Sequence, residues 1–334
     1  MRRTYLTKIL GSTLFALLIF LNCPFLEAEL GEGSAVSYTL SGGRFGDNLL
    51  AYAHGKWISY ILDVPLIYTP FPYSHLLALD RTLPPQASIE RVLTLQSEGD
   101  FLNLWNIDSE RGPIRIDIPF YPETSQDFDT PNCFPVWTQV NWDDPKFSAQ
   151  LQREIAPLIP IPKFDLPADC MTVAVHVRTG EGEESSWARF TALWPMKGPP
   201  PAYYINALHL LAKNIPKPLY VYLFTDYSNP AAILALFAAS CKGLDIEFDC
   251  RKLGNTPNRN VLEDFFSMAQ FDCLIRSDSS YSLMASKLFP YQIVASPYHF
   301  KRGTQNQVLI DKILLQMNVD LKFPQPIKIV VPIH

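Results

Sequence analysis

Short apolar runs alternate with helical spacings over residues 171–316. Residues 171–177 (MTVAVHV) are almost continuously apolar and rich in valine, as a strand buried on both faces requires. A second such strand is predicted over 219–225 (LYVYLFT). Helical periodicity predicts a helix over 202–214 and another over 230–240, where Pro230 stands in the first turn. The same reading gives strands at 245–249, 273–276 and 292–295, and helices at 261–270, 279–288 and 305–316. Strands and helices in strict alternation predict a parallel, doubly wound α/β sheet that holds ligands at the carboxyl ends of its strands.

Upstream, 35–40 (AVSYTL) alternates like a strand and runs into the turn Gly42-Gly43-Arg44-Phe45-Gly46-Asp47-Asn48. A helix over 49–62 and an apolar strand over 64–68 complete a predicted βαβ unit. Residues 70–144 show no clear period, although 114–118 reads as a strand. Residues 156–169 contain four prolines and read as a semi-rigid linker. The expected organisation is therefore an N-terminal α/β lobe over 35–155, a linker over 156–169, a second lobe over 170–320 and a tail over 321–334.

Composition narrows the classes. The chain has 334 residues, 48% hydrophobic and 18% charged, which suits two packed lobes and excludes disorder. A net charge of -5 argues against a nucleic-acid partner, whose phosphates call for a basic face. Arg2, Arg3 and Lys8 precede an apolar stretch over 9–25, and Leu26-Glu27-Ala28 offers a cleavage point. Residues 1–28 thus read as a signal peptide or signal-anchor. This places the body in a secretory lumen, the periplasm or the extracellular space, with membrane contact only through that segment. Apart from Cys23, five cysteines remain, Cys133, Cys170, Cys241, Cys250 and Cys273, with no CxxC pair to favour zinc. Cys241 and Cys250 flank a short turn and strand and could bridge if oxidised; buried thiols are the other reading.

Three segments could carry chemistry. His176-Val177-Arg178 ends a buried strand, so its two polar side chains leave one face at the crevice. The arginine fork suits a diphosphate, and the imidazole can bond to phosphate, ribose or base; a strand-end salt bridge beside a satisfied histidine fits equally. Asp278-Ser279-Ser280-Tyr281-Ser282 lies between a strand and a helix, where backbone N–H groups attract anions, or where a serine simply caps. Asp264, on the preceding helix, is either solvated or an acceptor for the paired N–H groups of guanine. In Gly43-Arg44-Phe45-Gly46-Asp47-Asn48 the glycines permit close approach of backbone to a ligand. Thr225-Asp226, at another strand end, faces the crevice or caps the next turn.

Taken in order, these segments resemble the superfamily of GT-B fucosyltransferases, which includes the α1,2-, α1,6- and protein O-fucosyltransferases. Residues 43–48 are similar to its G-R-x-G-N-Q turn, His176-Val177-Arg178 to its H-x-R motif, Phe224-Thr225-Asp226 to its strand-end T/S-D, and 264–280 to its last donor segment. The resemblance implies two Rossmann-type lobes facing a cleft, the first on the acceptor side and the second binding the sugar nucleotide. It further implies inverting transfer of L-fucose from GDP-fucose to a glycan or protein hydroxyl, with no metal and no other cofactor. Arg178 would hold the β-phosphate, His176 and Asp264 the guanosine, and Ser279 and Ser280 the phosphates. Gly43, Arg44, Phe45, Gly46, Asn48 and Asp226 would complete the donor site. Asp47 stands where many members have Asn; there it is a general base for the acceptor, or it repels the diphosphate. Thr179-Gly180-Glu181 also departs from the pattern, and with Glu183 and Glu184 forms an acidic loop. Two other functions are carried forward. One is an exported, non-catalytic glycan- or nucleotide-binding protein that retains the fold. The other is a metal-dependent transferase using Asp127-Phe128-Asp129.

Overall fold

The computed structural model describes residues 30, 32–81, 89–96, 100, 107, 112–120, 140–181, 186–256, 259–303, 307–318 and 327–333. The segment 1–28 lies outside them, as do Cys133, Asp127-Phe128-Asp129, Glu183 and Glu184. Among the described residues no helix is long and apolar enough to cross a membrane.

The first sheet is small and parallel. Strand β1 (Ala35–Tyr38) leads into helix α1 (Phe45–Leu62), and β2 (Arg91–Thr94) and β3 (Ile114–Ile118) follow, giving the order β1-β3-β2. Helix α2 (Pro145–Glu154) closes this part, with Asp144 accepting the N–H groups of Lys146 and Phe147 and a proline in its first turn. α1 is buried on almost every side, which fits its run of apolar residues. Its one buried cation, Lys56, is neutralised by Glu154 at 2.9 Å and Asp80 at 3.5 Å.

Two expectations change here. The helix begins at Phe45 rather than at residue 49, so half of the glycine turn is its first turn. The strand expected over 64–68 is a single bridge between Val36 and Leu66, flanked by Pro65 and Pro70, which offer no N–H to a ladder.

The second sheet contains β4 (Met171–Val177), β5 (Leu219–Thr225), β6 (Ile246–Cys250), β7 (Cys273–Ile275) and β8 (Ile293–Arg302), parallel in the order β8-β7-β4-β5-β6. Between them come α3 (Trp187–Leu193), α4 (Pro201–Asn214), α5 (Pro230–Ser240), α6 (Val261–Ser267) and α7 (Ser280–Leu288). The order reverses between β4 and β7, and a doubly wound sheet opens its ligand crevice at that switch point. Val173, Val175 and Val177 pack against α4 and α5, while Ala174 belongs to the core shared with α1, α6 and α7. Period-two alternation thus turns His176 and Arg178 toward the first lobe.

The helix expected over 305–316 is absent. Residues 308–317 form β9 (Val308–Met317), antiparallel to β8, and β10 (Ile327–Pro332) pairs with it inside the expected tail. β9 buries Val308, Ile310, Ile313 and Leu315. Register shifts in the β8–β9 pair between Pro297 and Phe300 disturb the regular alternation a strand would show. Residues 156–169 have no regular structure but are packed: Phe164 meets Tyr222 and Phe271 at ring distances of 4.7 and 5.4 Å. Cys241, Cys250 and Cys273 are buried free thiols and Cys170 is a free thiol, so the Cys241–Cys250 bridge does not form.

Candidate active site

A cavity of about 570 Å³ opens at the switch point, between the carboxyl ends of β4 and β5 and the first turns of α1 and α7. Gly43, Arg44, Phe45, Gly46, Asp47, His176, Arg178, Asp226, Asp264, Ser279 and Ser280 all line it. Of the expected site residues only Asn48 does not. It is buried below the turn, with Nδ2 donating to the Gly43 carbonyl at 3.1 Å, and so braces the turn.

Arg178 points into the cavity while its guanidinium pairs with Asp226 and lies 5.4 Å from the Phe190 ring. Asp226 has a second task. It accepts the Thr179 N–H at 2.7 Å, the Thr179 hydroxyl at 3.0 Å and the Gly180 N–H at 3.1 Å. One carboxylate at the end of β5 therefore fixes both the cation and the turn after β4. Gly180 has φ +76°, and a Cβ there would stand 2.3 Å from Phe190, so no larger residue fits that turn. Glu181 is turned aside: its carboxylate accepts the Ser228 N–H and its carbonyl accepts from Arg44 at 3.3 Å.

His176 is 5% exposed, 3.4 Å from the Ser277 hydroxyl through Nδ1, and its ring centroid is 5.2 Å from that of Tyr281. Burial pushes its pKa down to about 4; Asp226 opposes the shift, while Arg178 and Arg276 add to it. The ring is neutral at physiological pH and is able to hydrogen-bond through both nitrogens. A depressed histidine pKa means that the unfolded chain binds the proton first as pH falls. Stability from this group is complete above pH about 6.5 and declines from there to about 4. Relative to His176→Asn, the native chain should lose on the order of 3 kcal/mol over that window, measured by denaturant unfolding. Parallel curves would refute the neutral assignment.

The first turns of α1 and α7 meet. Neither Arg44 nor Ser279, the residues preceding them, gives a side-chain cap. Both helices thus start at the cavity with their first N–H groups uncapped by side chains, and the helix dipoles add positive potential there. The Ser280 hydroxyl donates to Asp47 at 2.5 Å across the seam. Asp264 pairs with Arg251 at 2.6 Å; burial raises its pKa to about 6, with Arg251 pulling it back. Asp278 does not reach the cavity: it is buried against Arg276 at 3.2 Å.

Tyr73, Trp194, Lys197, Thr256 and Arg259 also line the cavity. They lie on irregular segments where no period or motif marks them. Among the described residues, no three of His, Cys, Asp and Glu cluster as metal ligands.

No family model matches the chain, and no curated protein matches it in sequence. Solved structures similar to it include three that contain GDP. A mutant of FUT1 from Arabidopsis thaliana in complex with GDP has 11% identity and a TM-score of 0.49, over 81% of this chain and 72% of that one. NodZ α-1,6-fucosyltransferase co-crystallised with GDP has 15% identity and a TM-score of 0.41, over 83% and 97%. POFUT1 in complex with GDP has 11% identity and a TM-score of 0.31, over 81% and 75%.

Proposed function

We propose that this chain is a metal-independent glycosyltransferase that moves L-fucose, with inversion, from GDP-fucose to an acceptor hydroxyl in an exported or luminal compartment. One observation carries the reading. Arg178, locked by Asp226 at a strand end, lines the same cavity as two helix starts without side-chain caps. That is a site for a diphosphate, and it stabilises the charge of a leaving diphosphate without a metal.

The remaining roles follow from position. Asp264 accepts the N–H groups of guanine, and neutral His176 bonds to the nucleoside side. Ser279, Ser280 and Arg44 meet the phosphates. Asp47 lies at the boundary of the two lobes and takes the acceptor proton as the hydroxyl oxygen bonds to the anomeric carbon and GDP leaves from the opposite face.

Calorimetry with GDP, then hydrolysis and transfer with a panel of sugar nucleotides, tests the reading. Preference for GDP-fucose supports it, while GDP binding without turnover marks a non-catalytic relative. Asp47→Asn keeps an oxygen that can accept from Ser280. It should lower transfer about 10²-fold or more with GDP still bound. An unchanged rate would remove Asp47 as the base.

A further inference from the structure

The geometry points to a saccharide as the acceptor class, with a pyranose ring packed against Tyr73 and Trp194 in the cleft. This rests on the transferase reading and narrows it, since a hydroxyl on a protein side chain would satisfy the chemistry as well.

Tyr73 has φ 69° and ψ -7°, the left-handed region that bulky side chains rarely adopt. The surrounding turn holds it there. Ser74 Oγ accepts the Phe71 N–H at 3.0 Å and donates to the Phe71 carbonyl at 2.6 Å, and the Leu76 N–H bonds the Tyr73 carbonyl at 2.9 Å. The result is an aromatic ring on the cavity wall, edge-on to Phe45 at 6.1 Å. Such local strain concentrates where a side chain must be presented to a ligand.

Trp194 lines the same cavity from the other lobe and is 53% exposed. Its backbone is held all the same. The Trp194 backbone N–H bonds the Phe190 carbonyl at 2.8 Å, its carbonyl accepts from the Gly198 N–H at 2.9 Å, and Arg302 holds the Ala192 carbonyl two residues earlier at 3.0 Å. Lys197 places its ammonium 5.5 Å from the indole centroid. A half-exposed aromatic surface beside a cation suits a ring with an apolar C–H face and a rim of hydroxyls. An extended peptide lacks its usual partner among the described residues: the strands that line the cavity, β4 and β5, lie inside their sheet and reach the cleft by their ends.

The test compares the native chain with Tyr73→Gly, Trp194→Ala and, as a control, Leu309→Ser at an exposed position of β9. Saturation-transfer NMR with GDP present uses three probes: methyl β-D-galactopyranoside, methyl N-acetyl-β-D-glucosaminide and a serine- and threonine-containing peptide. GDP affinity is measured separately by calorimetry. The native chain should contact at least one glycoside, and the two aromatic variants should each weaken that contact about tenfold. GDP affinity should shift less than about threefold in both, a difference well under one decade. Tyr73→Gly removes the ring yet gives the backbone a residue at ease with φ 69°, so a ring that only packs against Phe45 predicts a lower melting temperature with unchanged glycoside contact. A GDP-binding chain that contacts neither glycoside, or contacts only the peptide, overturns the inference. So do aromatic variants indistinguishable from the control. Glycoside contact without GDP binding would fell the transferase reading and leave the saccharide site standing.

Discussion

Arg178→Ala should lower transfer by about 10²–10³-fold, the scale on which enzymes lose rate when one preorganised group facing the developing charge is removed. The fold should survive. Asp226 keeps its bonds from the Thr179 and Gly180 N–H groups and the Thr179 hydroxyl, so the turn after β4 stays closed without the guanidinium. The substitution also exposes no apolar core, because Arg178 sits at the cavity edge of its strand. Turnover should therefore fall with a melting temperature close to native, and Arg178→Lys should recover only part of the rate, since a point charge cannot reproduce a two-pronged fork. Asp226→Ala is the informative contrast: it releases the cation and the turn together and should cost both stability and rate. Steady-state transfer and thermal melts on the three variants decide the matter. Near-native turnover in Arg178→Ala would end the transferase reading.

The residues that define this arrangement were legible in the sequence for a physical reason. A parallel strand covered on both faces must be apolar along its length, so polar residues at its carboxyl end stand out: His176 and Arg178 after MTVAV, and Asp226 after LYVYLFT. The parallel core of the second lobe followed from the same contrast. What failed had equally definite causes. β9 reads VLIDKILLQM, with apolar residues on both faces and register shifts against β8, and that pattern imitates a helix. α1 starts at Phe45, ahead of the expected residue 49; Arg44 is not a capping residue, and sequence marks helix starts by their caps. The missing side-chain cap leaves the first backbone N–H groups of α1 without that acceptor, at the rim of the cavity. Tyr73, Trp194, Lys197 and Arg259 escaped because irregular loops gather them in space without periodicity.

The meeting of the two helix starts leads to the second large effect. Gly46→Ala should destabilise the chain, although helix propensity alone favours alanine over glycine by about 1 kcal/mol. A Cβ at Gly46 would lie 2.3 Å from the Tyr281 backbone nitrogen, 2.5 Å from its Cα and 2.8 Å from the Ser280 carbonyl carbon. These are backbone atoms in the first turn of α7, so no side chain can rotate out of the way. One helix must slide, and α1 is buried almost all round. Overpacking against a fixed backbone costs about 1–3 kcal/mol or more, enough to outweigh the propensity gain. At this chain length a net loss of about 2 kcal/mol, the upper part of that range, lowers the melting temperature by roughly 3 °C. Transfer should fall with it, because the shift pulls Asp47 from Ser280 and separates the two helix starts. Gly55→Ala, in the same helix, is the matched control. The nearest atoms to its Cβ would be the Leu66 side chain and the Cβ and ring of Tyr38, all at 3.1 Å, contacts that shifts of a few tenths of an ångström can relieve. That variant should melt within a degree or two of the native chain, propensity gain and mild crowding nearly cancelling. If Gly46→Ala melts at or above the native temperature, α1 and α7 do not touch at this point, and the proposed diphosphate site loses one of its walls.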